Sequence, residues 1–127
     1  MSQTPDLEIA RIHDDAAQTK GARILVDRLW PRGVSKVDAK LDDWIRESAP
    51  SNDLRRWFAH DPAKWETFRS RYLTELDANP EPIERLLDWC RKGPVTLLFA
   101  ARDREYNQAV VLRDYLRERL AQTDGLP

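Results

Sequence analysis

The chain has 127 residues, of which 41% are hydrophobic and 34% are charged, a balance typical of one soluble globular domain with a buried core. Its 21 lysines and arginines nearly balance its 22 aspartates and glutamates, so a net charge of −1 provides no general attraction to nucleic acid. The single cysteine excludes an internal disulfide and a zinc site built on several thiolates.

The amino-terminal third of the sequence predicts two strands and one short helix. Residues 9–12 alternate apolar and polar side chains, which predicts an edge strand, and the apolar run at 23–27 predicts a buried strand. Residues 34–40 follow a Pro-Arg-Gly break and are predicted to be a loop. The apolar spacing within residues 41–45 predicts a short amphipathic helix.

Three helices are predicted in the middle of the chain. Ser51 has the chemistry of a helix cap, for a short helix that runs through Phe58. Asp61 followed by proline marks the start of a second helix, which carries an apolar stripe as far as residue 77. A third helix is predicted to end at the Lys-Gly-Pro string of residues 92–94.

The last part of the chain predicts a second buried strand and a final helix. The run at 95–100 is almost continuously apolar, as in parallel strands, and Asp103 is predicted to cap a helix that starts directly after it. This order of elements predicts one small α/β domain over residues 7–120, with a short, mostly parallel sheet flanked by helices, Rossmann-like in a loose sense. Residues 1–6 and 121–127 are expected to be flexible.

The membrane and secretion signals are missing from the sequence. No apolar run approaches the ~20 residues that cross a bilayer, and the amino terminus lacks the pattern of a signal peptide. We therefore expect a cytoplasmic protein with no membrane partner.

Charged and aromatic residues follow both buried strands. Polar side chains at the carboxyl ends of neighbouring parallel strands commonly face a ligand crevice. Several arginines beside a helix N-terminus favour a phosphate or a carboxylate, because a guanidinium can donate two parallel hydrogen bonds to either group. The predicted ligand-binding residues are Arg28, Trp30, Arg32, Arg55, Trp57, Arg102, Asp103 and Asn107.

Asp27 and His60 are the candidate catalytic residues, both for proton transfer. Asp27 is the carboxylate at the end of the first buried strand, and His60 lies between two predicted helices. A structural role is open for each of them, as an ion pair for Asp27 and as a turn residue for His60, and Asp103 is open as a plain helix cap. No spacing of histidines and acidic residues fits a metal, and no glycine-rich phosphate loop is present, so neither a metal nor a cofactor is predicted.

Three strings of the sequence resemble the YeaO-like bacterial proteins, a branch of a broad family of domains of unknown function. They are Val-Asp-Arg-Leu-Trp-Pro-Arg-Gly at 26–33, Ala-Pro-Ser at 49–51 and Leu-Leu-Phe-Ala-Ala-Arg-Asp at 97–103, within a resemblance that covers about residues 7–120. Longer relatives carry a cysteine in the last strand and a Cys-His-Arg string in the next helix, where this chain has Phe99 and Tyr-Asn-Gln at 106–108. The resemblance therefore implies a fold and a site location, but no thiol chemistry.

Two functions fit these residues, and the sequence leaves open whether either is enzymatic. The first is binding of, or action on, a small anion that bears a phosphate or carboxylate, nucleotides included. The second is a nucleic-acid or protein interaction module that uses the arginines and tryptophans at 28–32 and 55–57. Some similar sequences carry a transcription-regulator label, but this chain has no winged helix-turn-helix pattern. Trp30 and Trp57 could alternatively be covered in a homodimer.

Overall fold

The computed structural model describes residues 6–124 and confirms the predicted α/β class of fold. These residues form four strands and five α-helices. The strands are β1 (Leu7–Arg11), β2 (Ala22–Leu25), β3 (Asp43–Trp44) and β4 (Val95–Phe99). The helices are α1 (Lys36–Ala39), α2 (Asn52–Phe58), α3 (Trp65–Asp77), α4 (Pro80–Lys92) and α5 (Gln108–Asp124).

The sheet has the order β1-β4-β2-β3, and every strand pair in it is parallel. All five residues of β4 are buried, which explains its continuously apolar sequence. Leu97 of β4 faces a large core with Ile24 of β2, whereas the next residues, Leu98 and Leu25, face a smaller core. Because successive side chains of a strand alternate between faces, the two cores lie on opposite sides of the sheet.

The predicted helical stripes pack into the larger core. Phe68, Tyr72 and Leu76 are buried along α3, and Ile83 and Leu87 are buried along α4. The cap predicted at Ser51 is confirmed, since the Ser51 side chain accepts a hydrogen bond from the Leu54 amide at 3.2 Å.

The predictions for residues 34–45 are wrong. The predicted loop contains α1, whose N-cap Ser35 accepts a hydrogen bond from the Asp38 amide. The predicted helix over 41–45 is instead the edge strand β3, because the Ile45 amide donates to the carbonyl of Leu25 at 3.0 Å. Pairing with β2 therefore outweighs the helical spacing of the apolar residues.

The start of the last helix also differs from the prediction. Asp103 does not cap α5, because its carboxylate accepts the amides of Glu105 and Tyr106 in a turn before the helix. Asn107 takes the cap position, where its Oδ1 accepts the Val110 amide at 3.2 Å.

The two ends of the chain are described in part. Helix α5 continues to Asp124, so it includes part of the segment 121–127 that was expected to be flexible. Residues 1–5 and 125–127 lie outside the described residues, and the flexibility of both ends stays a prediction. Among residues 6–124, no helix is long and apolar enough to cross a membrane.

Gly21, directly before β2, lies where the backbone closely approaches Pro94, the residue before β4. It has φ +67°, and a Cβ atom there would lie 2.0 Å from the Pro94 carbonyl oxygen. We expect Gly21→Ala to lower the free energy of unfolding by about 3 kcal/mol or more, from steric overlap and left-handed strain together.

Gly33→Ala is the matched control, since Gly33 has φ +75° but no atom within 4 Å of the added Cβ. Gly33→Ala should lower the free energy of unfolding by about 1–2 kcal/mol, from left-handed strain alone. Urea unfolding measures both variants, and equal losses would show that Gly21 does not control the approach of the two strands.

Candidate functional site

A crevice of about 550 Å³ opens at the carboxyl ends of β2 and β4. Residues from both strand ends, from α2 and from the start of α5 line it, as expected for a parallel sheet. Its polar lining consists of Asp27, Arg28, Arg55, His60, Arg102, Asp103 and Gln108. Its apolar lining consists of Leu29, Ala49, Pro50, Phe58, Phe68, Ala100 and Ala101.

Asp27 joins the two strand ends. Its Oδ2 accepts a hydrogen bond from the Ala100 amide at 3.0 Å, and its Oδ1 accepts one from the side-chain amide of Gln108. Its backbone carbonyl accepts a hydrogen bond from the Trp44 indole at 2.7 Å. Burial raises the pKa of Asp27 to about 6, although the hydrogen bonds from Ala100 and Gln108 act in the opposite direction.

Arg28 builds one wall of the crevice. Its Nε donates to the Pro50 carbonyl at 2.9 Å, and its Nη2 donates to the Ala49 carbonyl at 3.0 Å. The Tyr72 hydroxyl donates to the carbonyl of Ser48 at 2.6 Å, on the other side of the same segment. The segment before α2 is therefore held both by the strand end and by α3.

The opposite wall, formed by the loop from β4 to α5, is held in the same way. Arg11 donates from Nε to the Ala101 carbonyl at 2.9 Å and from Nη2 to the Ala100 carbonyl at 3.2 Å. Arg104 forms two hydrogen bonds with the Asp14 carboxylate, at 2.9 and 2.8 Å. Both walls of the crevice are thus held in place by hydrogen bonds from arginines that lie far away in the sequence.

Three exposed cationic or ionisable side chains surround the mouth of the crevice: Arg55, His60 and Arg102. Arg55 contacts Asn52 through a hydrogen bond of 3.3 Å. His60 and the preceding Ala59 both have left-handed backbone conformations, with φ of 58° and 46°. Two successive left-handed residues turn the chain sharply after α2, and such strained non-glycine turns are often found at functional sites.

The structure brings six of the ten predicted site residues to the crevice: Asp27, Arg28, Arg55, His60, Arg102 and Asp103. The hydrogen bonds that the Asp103 carboxylate accepts from the amides of Tyr106 and Glu105 lower its pKa. Asp27 is not in an ion pair within 4 Å with any described residue, and its partners are amides.

Four predicted residues do not line the crevice: Trp30, Arg32, Trp57 and Asn107. Trp30 packs edge-on against Trp44 in the smaller core, at a ring distance of 5.3 Å. Trp57 is half-buried, and Lys64 and Arg71 lie over its ring. Asn107 is buried as the cap of α5, and Arg32 is exposed.

Sequence reasoning missed Gln108 and the aromatic lining of the crevice. Gln108 is the first residue of α5, and its side chain donates to Asp27. The sequence predicted that the helix starts near Asp103, so it did not place Gln108 at the helix start beside Asp27. Phe58 and Phe68 stack with ring centroids 4.2 Å apart, a contact that no local pattern indicates. Within the described residues, no group of three His, Cys, Asp or Glu side chains is placed to hold a metal ion.

The structure is that of a small parallel α/β domain with a crevice at the carboxyl ends of its strands. A family model described as "Inactive DUF488-N3 subclade" matches residues 6–126, and the chain belongs to this family of YeaO-like domains of unknown function. It is 45% identical to the Escherichia coli K12 protein described as "Uncharacterized protein YeaO", over 88% of this chain and 97% of that protein.

More distant relatives come from mycobacteria. The chain is 34% identical to "Uncharacterized protein Rv3073c" of Mycobacterium tuberculosis H37Rv and to "Uncharacterized protein Mb3100c" of Mycobacterium bovis. Each match covers 89% of this chain and 95% of the relative. No solved structure matches the chain.

The raised pKa of Asp27 predicts a specific dependence of stability on pH. The folded protein holds the Asp27 proton more strongly than the unfolded chain, so this group destabilises the fold as pH rises from about 4 through about 6. Asp27→Asn should remove this loss of stability, because the asparagine side chain stays neutral at every pH. Gln108 can rotate its side-chain amide so that the hydrogen bond to residue 27 is kept. Relative to wild type, the free energy of unfolding of the variant should rise by about 3 kcal/mol between acidic and neutral pH, as measured by urea unfolding.

Glu105→Gln is the control, since Glu105 is exposed in the loop that leads to α5. It should leave the pH profile of the wild type unchanged. If Asp27→Asn also leaves the profile unchanged, Asp27 is not the buried proton-binding group.

Arg28 is predicted to be a structural part of the site. Arg28→Met removes two charged hydrogen bonds to the carbonyls of buried residues, so the free energy of unfolding should fall by about 2–4 kcal/mol. Arg32→Met, at an exposed position four residues later, should change it by less than about 0.5 kcal/mol. Equal stability of the two variants in urea would contradict this role.

Proposed function

We propose that this protein binds a small anionic ligand, with a carboxylate or phosphate group, in the crevice at the strand ends. The observation that carries the proposal is the set of guanidinium groups around the crevice. Among the ion pairs within residues 6–124, none includes Arg28, Arg55 or Arg102. Arg28 donates to the Pro50 and Ala49 carbonyls, and Arg55 also interacts electrostatically with Asp27. The exposed Arg55 and Arg102 are therefore the guanidiniums that can bind an anion from solution.

Binding without turnover is favoured over catalysis. Of the described residues that line the crevice, none carries a hydroxyl, a thiol or an amine, so a serine-, cysteine- or lysine-type nucleophile is missing there. The description of the matching family also contains the word "Inactive". Asp27 and His60 remain the groups that would move a proton if the ligand reacted.

The alternative function, an interaction module built on Trp30 and Trp57, has less support. The Trp30 indole donates to the Val34 carbonyl at 2.7 Å, and its ring packs on Trp44. The ring of Trp57 is covered by Lys64 and Arg71, which leaves little of it for stacking on a base.

Arg55 allows a direct test, because it is exposed and its removal should not unfold the protein. At constant ionic strength, we expect thermal stabilisation by at least one anion among phosphate, acetate, benzoate and phenyl phosphate. Arg55→Gln should weaken the affinity for that anion about fivefold to tenfold.

The matched control is Arg56→Gln, the next residue of α2, which is exposed but does not line the crevice. It should bind the anion as the wild type does. Equal effects of the two substitutions would contradict the proposal. So would stabilisation by single-stranded DNA alone, steeply dependent on salt, which would favour the interaction module.

A further inference from the structure

The crevice is larger than a free inorganic anion requires. Its volume of about 550 Å³ lies well inside the range of roughly 300–1,000 Å³ found for sites that hold whole small molecules. A phosphate or sulfate ion alone would leave most of this space to water. The size therefore indicates a ligand with a body as well as a charged group.

The lining combines a buried aromatic wall with exposed guanidiniums and one exposed apolar side chain. Phe58 and Phe68 are buried, with 5% and 2% of their surfaces exposed, and their rings stack in the wall of the crevice. Arg55 and Arg102 are exposed at the mouth. Leu29, also in the lining, is 59% exposed, an apolar surface that a ligand can cover.

The charges of the crevice limit the charge of the ligand. The three arginines of the lining, Arg28, Arg55 and Arg102, stand against two carboxylates, Asp27 and Asp103. A site with a small positive excess favours a ligand with one or two negative charges and disfavours a polyphosphate.

We propose that the ligand is an amphipathic anion, with one carboxylate or phosphate beside Arg55 and Arg102 and a flat apolar body against Phe58 and Leu29. This inference rests on the proposed function and specifies its ligand class. Each part of the ligand corresponds to a part of the lining: the charged group to the exposed guanidiniums, and the apolar body to the aromatic wall.

Three probes of matched size or charge test the ligand class by calorimetric titration. Phenyl phosphate has both parts of the ligand, inorganic phosphate has only the charged group, and benzyl alcohol has only the ring. Phenyl phosphate should bind roughly 10- to 100-fold more tightly than either of the others, because it uses both the apolar and the charged lining.

Leu29→Ser should lower the affinity for phenyl phosphate about threefold to tenfold and leave that for inorganic phosphate unchanged. Val37→Ser is the matched control, since Val37 is 82% exposed on α1, outside the crevice lining. It should leave both affinities unchanged.

The possible outcomes separate this inference from the proposed function. Equal binding of phenyl phosphate and inorganic phosphate would overturn the amphipathic ligand but retain an anion site. Binding of benzyl alcohol as tight as that of phenyl phosphate would overturn the proposed function and the inference with it. The same holds if neither of the two phosphates binds and acetate and benzoate do not bind either. If Leu29→Ser and Val37→Ser change the affinity for phenyl phosphate equally, the apolar part of the ligand does not contact Leu29 and the inference is wrong.

Discussion

The parallel pairing of β2 and β4 determines where every part of the candidate site lies. Val26, just after β2, donates its amide to the Leu98 carbonyl at 3.0 Å, so the two strands end at the same level. Asp27 then accepts the Ala100 amide, which joins two segments that are 73 residues apart in the sequence. The same carboxylate accepts Gln108 at the start of α5. One side chain therefore aligns both strand ends and the last helix around the crevice.

The arginines of the site divide into two groups with different roles. Arg11 and Arg28 donate to backbone carbonyls and hold the two walls in place, so their charges are used inside the protein. Arg55 and Arg102 lie at the mouth, and no ion pair within residues 6–124 includes them. Because the walls of the crevice are already held in place, a ligand at the proposed site would require little ordering of the protein on binding. The hydrogen bonds of Arg11 and Arg28 hold the two walls of the crevice in this arrangement.

Much of the fold followed from the sequence, because the buried strands and the long amphipathic helices carry strong periodic patterns. The six residues that meet at the crevice include Asp27 and Arg28, which directly follow a strand that could be recognised. Strand β3 has only two residues, too few to show the alternation of apolar and polar side chains that marks a strand, and its pairing with β2 depends on tertiary structure. Trp30 lies near Arg28 in sequence, but the chain turns it into the core on the other sheet face. Asp103 and Asn107 are both good caps, and only the turn between them determines which one is used.

The central claim is that anions bind at the carboxyl ends of β2 and β4. Backbone amide chemical shifts, followed by NMR during a titration with phenyl phosphate, test it most directly. We predict saturable shifts concentrated at Asp27, Arg55, Ala100, Arg102 and Gln108, all in the lining of the crevice. Shifts that do not saturate, or that centre on Tyr115 and Glu118 of α5, which lie outside the lining of the crevice, would contradict the claim.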